Sequence, residues 1–401
     1  MERLTNQERL RPWMGIVFFG VIMLTFVTVC SLMQYYWGIP GLIGTELLLA
    51  LMSVAFVKIR RVKISEVFPI KKITVRDFFG CVILLISGYM FSIASILIMQ
   101  LLVPSSAAEA EGISNMLYGP NSNFFYLLFS VALLPAICEE MIHRGAILSS
   151  FRGVKHEWIA IVAIGLTFSI NHLSILRGPF TFIVGMILAY VVIKRNNILL
   201  SMMMHFILNS FSVILSFASG LAKNPEMAQS SSLSDINPMY SIGIALIFGG
   251  LAPVLLVTGM MLISPKTHKA TRYIWSGIAT CIMLFAGAAM FGTYVKESTL
   301  VNTTYSFTSD GECMEGPLEF TVDEEGSYQI VVTVQGGGDY TVIVQDKEGN
   351  VACQGEVSDG TIRTYQEYIS PEPDDYEIYI ECGVNTEGEH PTISTTVQKM
   401  S

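Results

Sequence analysis

The stretch AICEEMIHRGAIL at residues 136–148 places two glutamates, a histidine and an arginine inside an otherwise apolar segment. An ionised carboxylate in membrane hydrocarbon costs about 2.5–3.5 kcal/mol or more, so it needs either a partner or a function. Glu140 and Arg144 are four residues apart on one helix face and are interpreted as a neutralising ion pair. His143 shares a face with Glu139 and is a candidate ligand, but we interpret it as a supporting or structural residue. Glu139 is then left without an obvious partner, which makes it the candidate catalytic group.

Two other apolar segments each carry a histidine at helical spacing from a second residue. Phe168 precedes His172 in FSINH, and His205 precedes Asn209 in HFILN, by four residues in each case. A carboxylate with imidazoles can take a proton from water, directly or through a bound metal, and an amide can donate to an oxyanion. A lone histidine in a membrane helix is more often a packing residue. Three segments that each supply such a group favour a shared hydrolytic site.

The composition indicates a membrane protein with a separate acidic tail. Of 401 residues, 52% are hydrophobic and 14% are charged, whereas a soluble domain carries about 25% charged residues. Residues 1–295 have a charge balance of +8 and residues 296–401 have one of −17. Nucleic acid is excluded as an expected partner, because the basic runs all lie beside apolar segments. A lipid bilayer is the expected surroundings of residues 1–295.

The apolar segments predict a polytopic α-helical membrane domain with about nine transmembrane helices, since each crossing needs roughly 20 apolar residues. The predicted spans are 13–36, 41–57, 78–103, 122–150, 158–175, 179–193, 197–217, 239–263 and 273–294. Glu46 lies near the outer end of the short second span, and we interpret it as a residue that faces the membrane interface.

Lysine and arginine are distributed unequally between the two sets of loops. One set holds 17 of them, whereas the opposite loops between spans hold only Arg177 and Lys223. Because positive loops stay in the cytoplasm, this asymmetry predicts a cytoplasmic N-terminus and an extracytoplasmic tail.

The acidic tail, residues 296–401, changes to the alternation of β-structure. Its segment PLEFTVDEEGSYQIVVTVQGGGDYTVIVQDKEGNVACQGEV alternates apolar and polar residues, with glycine-rich turns between the runs. This pattern predicts a C-terminal extracytoplasmic all-β domain that is sandwich-like. Cys313, Cys353 and Cys382 lie in it, so at most one disulfide forms there and one thiol stays free.

The three polar motifs together resemble a known family. EEMIHR fits Glu-Glu-x-x-x-Arg, FSINH fits Phe-x-x-x-His and HFILN fits His-x-x-x-Asn. In this order on successive membrane helices, they resemble the CPBP intramembrane proteases, which include CAAX prenyl endopeptidases and bacterial relatives linked to bacteriocin immunity. The resemblance places a core at about 120–217 within the membrane domain 1–295, and it does not extend to the tail.

The resemblance implies a role for each motif residue. Glu139 would be the catalytic carboxylate, with His172 as its partner on a water or a metal. His205 and Asn209 would complete the site or stabilise the oxyanion. The remaining motif residues would have supporting roles: Glu140, Arg144 and Phe168. A divalent metal, with zinc as the first choice, would take Glu139, His172 and His205 as ligands, and a metal-free water activated by the glutamate is the alternative.

The expected function is that of an intramembrane endopeptidase, a metalloprotease-type hydrolase that cleaves a membrane-associated peptide or protein. The alternative is a non-enzymatic membrane protein, either a transporter or a bacteriocin-immunity or scaffold protein, that keeps the polar residues as a network. No inverted repeat supports the transporter. An exported β domain without an organelle-targeting signal predicts a bacterial plasma membrane, where a prenylated substrate is not expected. The sequence leaves the oligomeric state open.

Overall fold

The computed structural model describes residues 10–103, 122–218, 237–265, 270–306, 317–335, 339–357, 362–382 and 392–400. The chain divides into two compact units, one helical and one mostly β. The first unit comprises residues 1–234 and 241–287, and the second comprises residues 235–240 and 288–401.

Ten helices lie in the described part of the chain. They are α1 Pro12–Trp37, α2 Ile39–Ile59, α3 Ile64–Val67, α4 Val75–Leu102, α5 Phe124–Phe151, α6 Glu157–Asn171, α7 Gly178–Arg195, α8 Ile198–Ala218, α9 Pro238–Ile263 and α10 Ala270–Ser298. Eight of them are long and apolar enough to cross a membrane. This confirms the prediction of a polytopic helical membrane domain.

The fifth predicted span, 158–175, differs from what the structure shows. Helix α6 has 15 residues and ends at Asn171, because Leu173 takes a left-handed backbone conformation with φ 47°. Fifteen residues extend about 22 Å at 1.5 Å per residue, which is less than the ~30 Å hydrocarbon core. Helix α6 is therefore a short apolar helix that brings His172 to its C-terminal end.

Glycines allow the backbones of the short helix α6 and its neighbour α7 to come into direct contact. A Cβ atom added at Gly185 of α7 would lie 2.9 Å from the Cα atom of Gly165 on α6 and 3.1 Å from the Cβ atom of Phe168. Side chains larger than hydrogen would push the helices apart, which is why small residues mark close helix contacts in membranes. This contact fixes Phe168 against α7.

The segment between α2 and α4 is anchored to the helices that carry the polar motifs. The backbone of Lys71 exchanges two hydrogen bonds with the Asn197 side chain, at 3.1 and 2.9 Å. The ring of Phe68 packs on α5 so closely that a Cβ atom at Gly145 would lie 2.2 Å from it. Asp77, which forms a capping box with Thr74 at the start of α4, also pairs with Arg195 at the end of α7.

The C-terminal strands form two four-stranded antiparallel sheets, which confirms the all-β prediction. The strands are β1 Thr299–Ser306, β2 Leu318–Thr321, β3 Tyr328–Gln335, β4 Tyr340–Asp346, β5 Val351–Val357, β6 Ile362–Ile369, β7 Asp375–Cys382 and β8 Thr392–Lys399. The sheet orders are β1-β8-β3-β6 and β2-β7-β4-β5. Alternate residues of β3, β4 and β8 are buried in one apolar core, as expected for strands that cover a core on one face. The extracytoplasmic placement of this domain stays a prediction.

The register of the second sheet limits the disulfide pairing. Cys353 of β5 lies opposite Val344, whereas Cys382 of β7 lies opposite Tyr340 on the other side of β4. Four residues along a strand and two strand spacings put the two cysteines roughly 16 Å apart, and a disulfide spans no more than about 7 Å between Cα atoms. The single disulfide that the sequence allows would therefore need Cys313, which lies outside the described residues.

Candidate active site

The helix that carries the two glutamates is interrupted by wider turns on both sides of them. In α5, residues Leu134–Glu140 are α-helical, and they lie between π-helical segments at Leu128–Leu133 and Met141–Ile147. Pro135 has no N–H to donate to the carbonyl of Val131, four residues earlier. Single π-helical turns often mark functional sites, because they open the backbone bonding and reorient side chains.

Glu140 and Arg144 form the expected ion pair, and both side chains are fully buried. Arg144 Nη1 donates to Glu140 Oε1 at 2.8 Å, and Arg144 Nη2 donates to the carbonyl of Gly185 at 3.1 Å. The guanidinium also lies over the Phe168 ring, 4.3 Å from its centroid, which is a favourable cation–π distance. Arg144 thus ties α5 to both α6 and α7.

His205 of α8 is oriented by the same carboxylate. Its Nδ1 atom donates to Glu140 Oε1 at 3.0 Å, because a carboxylate oxygen can only accept while Arg144 donates to it. In a neutral imidazole the proton then sits on Nδ1, and Nε2 keeps its lone pair. This Nε2 atom lies 4.0 Å from Glu139 Oε2. His205 therefore presents an acceptor toward the second glutamate.

His172 at the end of α6 has the same orientation of its ring nitrogens. Its Nδ1 atom donates to the carbonyl of Phe168 at 2.8 Å, which leaves the lone pair on Nε2. The Phe168 ring, only 2% exposed, lies 4.8 Å from the His172 ring and 5.6 Å from the His205 ring. Phe168 therefore separates and positions the two imidazoles.

Glu139 is the more exposed of the two glutamates and lacks the ion pair with Arg144. Its side chain is 15% exposed, whereas that of Glu140 is fully buried. No described residue lies within hydrogen-bond distance of its Oε2 atom. Its Oε2 atom lies 4.0 Å from His205 Nε2, and the rings of His205 and His172 both pack against the Phe168 ring. The structure thus brings Glu139, His172 and His205 to one region of the helical unit.

Asn209 lies one turn beyond His205 and has a structural contact. Its Nδ2 atom donates to the Val131 carbonyl at 3.2 Å, the oxygen that Pro135 leaves without its helical donor. The amide nitrogen carries a second hydrogen. Asn209 therefore braces the wide turn of α5, and its part in an oxyanion hole stays a prediction.

Two buried ionisable residues have more contact with the site than the sequence indicated. His143 is fully buried and its ring packs 5.3 Å from that of Phe168. Its Nδ1 atom lies 3.3 Å from Thr167 Oγ1, which agrees with the structural interpretation. The interpretation of Glu46 as an interface residue is wrong, because its side chain is only 6% exposed and is buried against α5. Small or polar residues at positions 41, 45 and 53 of α2 are buried as well, and that stripe was the available signal.

The donor types suit a divalent metal, but their arrangement does not. A zinc site needs at least three nitrogen, oxygen or sulfur donors about 2.0–2.3 Å from one point. Across the described ranges, no three histidine, cysteine, aspartate or glutamate side chains meet that requirement. Glu139 and His205 come close enough to share one small ligand, whereas His172 does not join them in a set of three. The metal stays a prediction of the family resemblance.

Comparison with known proteins agrees with the motif assignment. Residues 121–211 match the family model of Rce1-like type II CAAX prenyl endopeptidases. No curated protein matches the chain. The match covers all three motifs and just under a quarter of the 401 residues. It confirms the resemblance to the CPBP and CAAX-protease group. The long apolar helices and the matched protease family together support a hydrolase in a multi-pass membrane protein.

Proposed function

We propose that this protein is an intramembrane endopeptidase that hydrolyses a membrane-associated peptide or protein with a water activated by Glu139. The observation that carries the proposal is the pair formed by Glu139 Oε2 and His205 Nε2, two acceptors 4.0 Å apart. That distance is too long for a direct hydrogen bond. A water between them can donate one hydrogen to each atom, and this is the arrangement that a general base requires.

One residue of the site can then be assigned to each step of the hydrolysis. Glu139 takes a proton from the water, and the water oxygen attacks the peptide carbonyl carbon. The oxyanion accepts a hydrogen bond from the second amide hydrogen of Asn209. The C–N bond breaks when Glu139 returns the proton to the leaving amine nitrogen. His172 presents its Nε2 lone pair to the same region and accepts a hydrogen bond from an N–H group of the substrate.

The buried network around Glu140 keeps these groups in place. Glu140 accepts hydrogen bonds from Arg144 and His205 at once, which fixes both the tautomer and the ring angle of the histidine. In metal sites and in protease sites, a carboxylate that accepts a hydrogen bond from a histidine fixes the tautomer and the orientation of its ring in the same way. Arg144 extends the network to Gly185 and Phe168, so three helices are held in register around Glu139.

The surroundings of the site indicate the substrate class. Two of the helices that carry it, α5 and α8, are long enough to cross a bilayer, so a substrate reaches it from the membrane or its surface. We propose a plasma membrane of bacterial type, with the N-terminus in the cytoplasm and the β domain outside. This orientation needs an odd number of crossings, so it takes the short helix α6 as a ninth crossing beside the eight long helices. The support for this orientation is the loop asymmetry of 17 lysines and arginines against 2, interpreted by the positive-inside rule.

A non-enzymatic membrane protein is the second candidate. The observation that favours it is that Glu140, Arg144 and Asn209 all make hydrogen bonds within the protein, which a packing network would also show. A non-enzymatic protein would have no use for Glu139, whose Oε2 atom has no hydrogen-bond partner among the described residues. We therefore favour the hydrolase.

Cleavage of a peptide library tests the proposal. The full-length protein in lipid nanodiscs is mixed with quenched fluorogenic peptides that partition into the bilayer, and single-turnover rates are measured. Glu139→Gln keeps the shape but removes the base, so we expect a loss of at least about 100-fold, the lower end for a general base. Glu157→Gln is the matched control, because it removes an exposed carboxylate at the start of α6. Equal rates for the wild type and Glu139→Gln would favour the non-enzymatic candidate.

A further inference from the structure

The most basic part of the chain is the connection between α2 and α4, residues 58–76, which we call the basic segment. It contains seven lysines and arginines and one acidic residue, Glu66. Its charge balance is +6, against +8 for the whole of residues 1–295. The seven basic residues are all exposed, and they are Lys58, Arg60, Arg61, Lys63, Lys71, Lys72 and Arg76.

Exposed apolar side chains alternate with the basic ones along this segment. Four of them are between 46% and 76% exposed, namely Ile59, Ile64, Ile70 and Val75. Each of the four has a lysine or an arginine as a direct neighbour in the sequence. Apolar side chains interleaved with basic ones are typical of a surface that lies at the boundary between the acyl chains and the anionic headgroups of a membrane.

Both ends of the basic segment are ends of helices that are long enough to cross a membrane. Helix α2 ends at Ile59 and helix α4 begins at Val75, so the segment is held at the level of the headgroups of a bilayer. Its inner side is covered by protein, because Val62 and Val67 pack in one buried cluster with Val57 of α2. The basic and the exposed apolar side chains therefore form its outer side.

The basic segment also contacts two of the helices that carry the candidate site. The ring of Phe68 lies where a Cβ atom at Gly145 of α5 would be, 2.2 Å from its nearest atom. The carbonyl of Pro69 accepts a hydrogen bond of 2.8 Å from the N–H group of Ile198, the first residue of α8. A ligand that orders the segment would therefore also stabilise the positions of α5 and α8.

We propose that the basic segment binds the headgroups of anionic phospholipids and that this binding stabilises the helical unit. Clusters of about four to eight lysines and arginines beside a membrane helix are typical of sites for anionic lipids. The orientation proposed above assigns the segment to the cytoplasmic side, where anionic lipids give the membrane a negative surface potential. An acidic protein would match the charge of the segment, whereas a lipid also covers the exposed isoleucines with its acyl chains.

Lipid binding to the purified full-length protein in detergent tests the proposal. Dioleoyl phosphatidylglycerol is added in increasing amounts, and the bound lipid is counted by native mass spectrometry. Dioleoyl phosphatidylcholine, which has the same acyl chains and no net charge, is the reference lipid. The wild type should prefer phosphatidylglycerol by at least about 25-fold, since each basic residue near an anionic headgroup contributes roughly fivefold. Lys71→Gln with Lys72→Gln should reduce this preference by about 25-fold for the same reason.

Lys71→Arg with Lys72→Arg is the matched control, because it keeps both charges at the same positions, and it should bind as the wild type does. The glutamine variant keeps the attachment of the segment to Asn197, because both of those hydrogen bonds use backbone atoms of Lys71. Should it fail to fold, Lys72→Gln alone takes its place, with an expected loss of about fivefold. Equal affinity of the wild type for the two lipids would overturn the proposal and favour an acidic protein as the occupant. Equal losses in the arginine and glutamine variants would overturn it as well.

Melting temperatures test the stabilising role without any assay of cleavage. In nanodiscs with phosphatidylglycerol and phosphatidylcholine in a ratio of about 1:2, the wild type should melt about 2–4 °C higher than in pure phosphatidylcholine, since a ligand that binds the folded state stabilises it. The glutamine variant should lose most of this difference, and the arginine variant should keep it. A difference of the same size in all three proteins would overturn the stabilising role. Neither measurement uses a peptide substrate, so both outcomes are independent of whether Glu139 catalyses hydrolysis.

Discussion

Replacing Arg144 by methionine should destabilise the helical unit strongly, although it keeps most of the side-chain volume. The change removes the 2.8 Å bond to Glu140, the 3.1 Å bond to the Gly185 carbonyl and the contact with the Phe168 ring. It leaves the carboxylate of Glu140 fully buried with only uncharged donors, His205 and Ser201, among the described contacts. Removing one member of a buried ion pair lowers the free energy of unfolding by about 3–5 kcal/mol. That is a large part of the roughly 5–15 kcal/mol by which native proteins are stable.

A double variant shows whether the stranded charge is the cause. In Arg144→Met with Glu140→Gln, the charge is gone while an amide oxygen still accepts from His205 Nδ1. Most of the lost stability should return, with the Gly185 and Phe168 contacts still missing. The assay is the fraction of protein that stays monodisperse in detergent over a temperature series. A double variant no more stable than the single variant would refute the reasoning, as would a single variant that loses only about 0–1 kcal/mol, the range for exposed pairs.

Three further outcomes follow from the contacts. Gly185→Ala should lower the melting temperature and the cleavage rate together, because the new Cβ atom would meet Phe168 and α6 at about 3 Å; Gly20→Ala, which meets nothing within 4 Å, is its control. Asn209→Ala should lose about 100-fold in single-turnover rate if the amide stabilises the oxyanion, whereas a lower melting temperature with an intact rate would leave it as the brace of Val131 alone. Burial raises the pKa of the Cys353 thiol, so at pH 8 its thiolate fraction and its rate with maleimide should fall below those of the unfolded chain, and equal rates would contradict this.

The candidate site residues could be predicted because a charged or polar side chain in an apolar segment costs free energy, and such residues are visible in the sequence. Glu139, His172 and His205 stand out in apolar segments, and their motif spacing alone assigns them to one region. Hydropathy likewise predicts the long helices, since a bilayer imposes a minimum length on each crossing. The alternation of the tail predicts its strands for the same kind of reason, because one face of each strand is buried.

What the sequence did not show depends on contacts between segments. The end of α6 is set by a left-handed residue at Leu173, which hydropathy does not detect. The wide turn at Leu128–Leu133 receives a hydrogen bond from a distant segment, because Asn209 of α8 donates to the Val131 carbonyl. Glu46 was misinterpreted because its depth in a span says nothing about which side of the helix is covered by protein. Apart from the stripe of small and polar residues on α2, no local pattern indicates these features.

The contrast between the two adjacent glutamates follows from helix geometry and supports different roles for them in the proposed mechanism. Neighbouring residues on a helix point about 100° apart, so Glu139 and Glu140 face different surroundings. Glu140 is fully buried, and Arg144 and His205 both donate to its Oε1 atom. Glu139 is 15% exposed and points toward His205 Nε2 without a hydrogen bond to it. A proton acceptor in catalysis must exchange its partner, so we assign the water to Glu139 and the orientation of the histidine to Glu140.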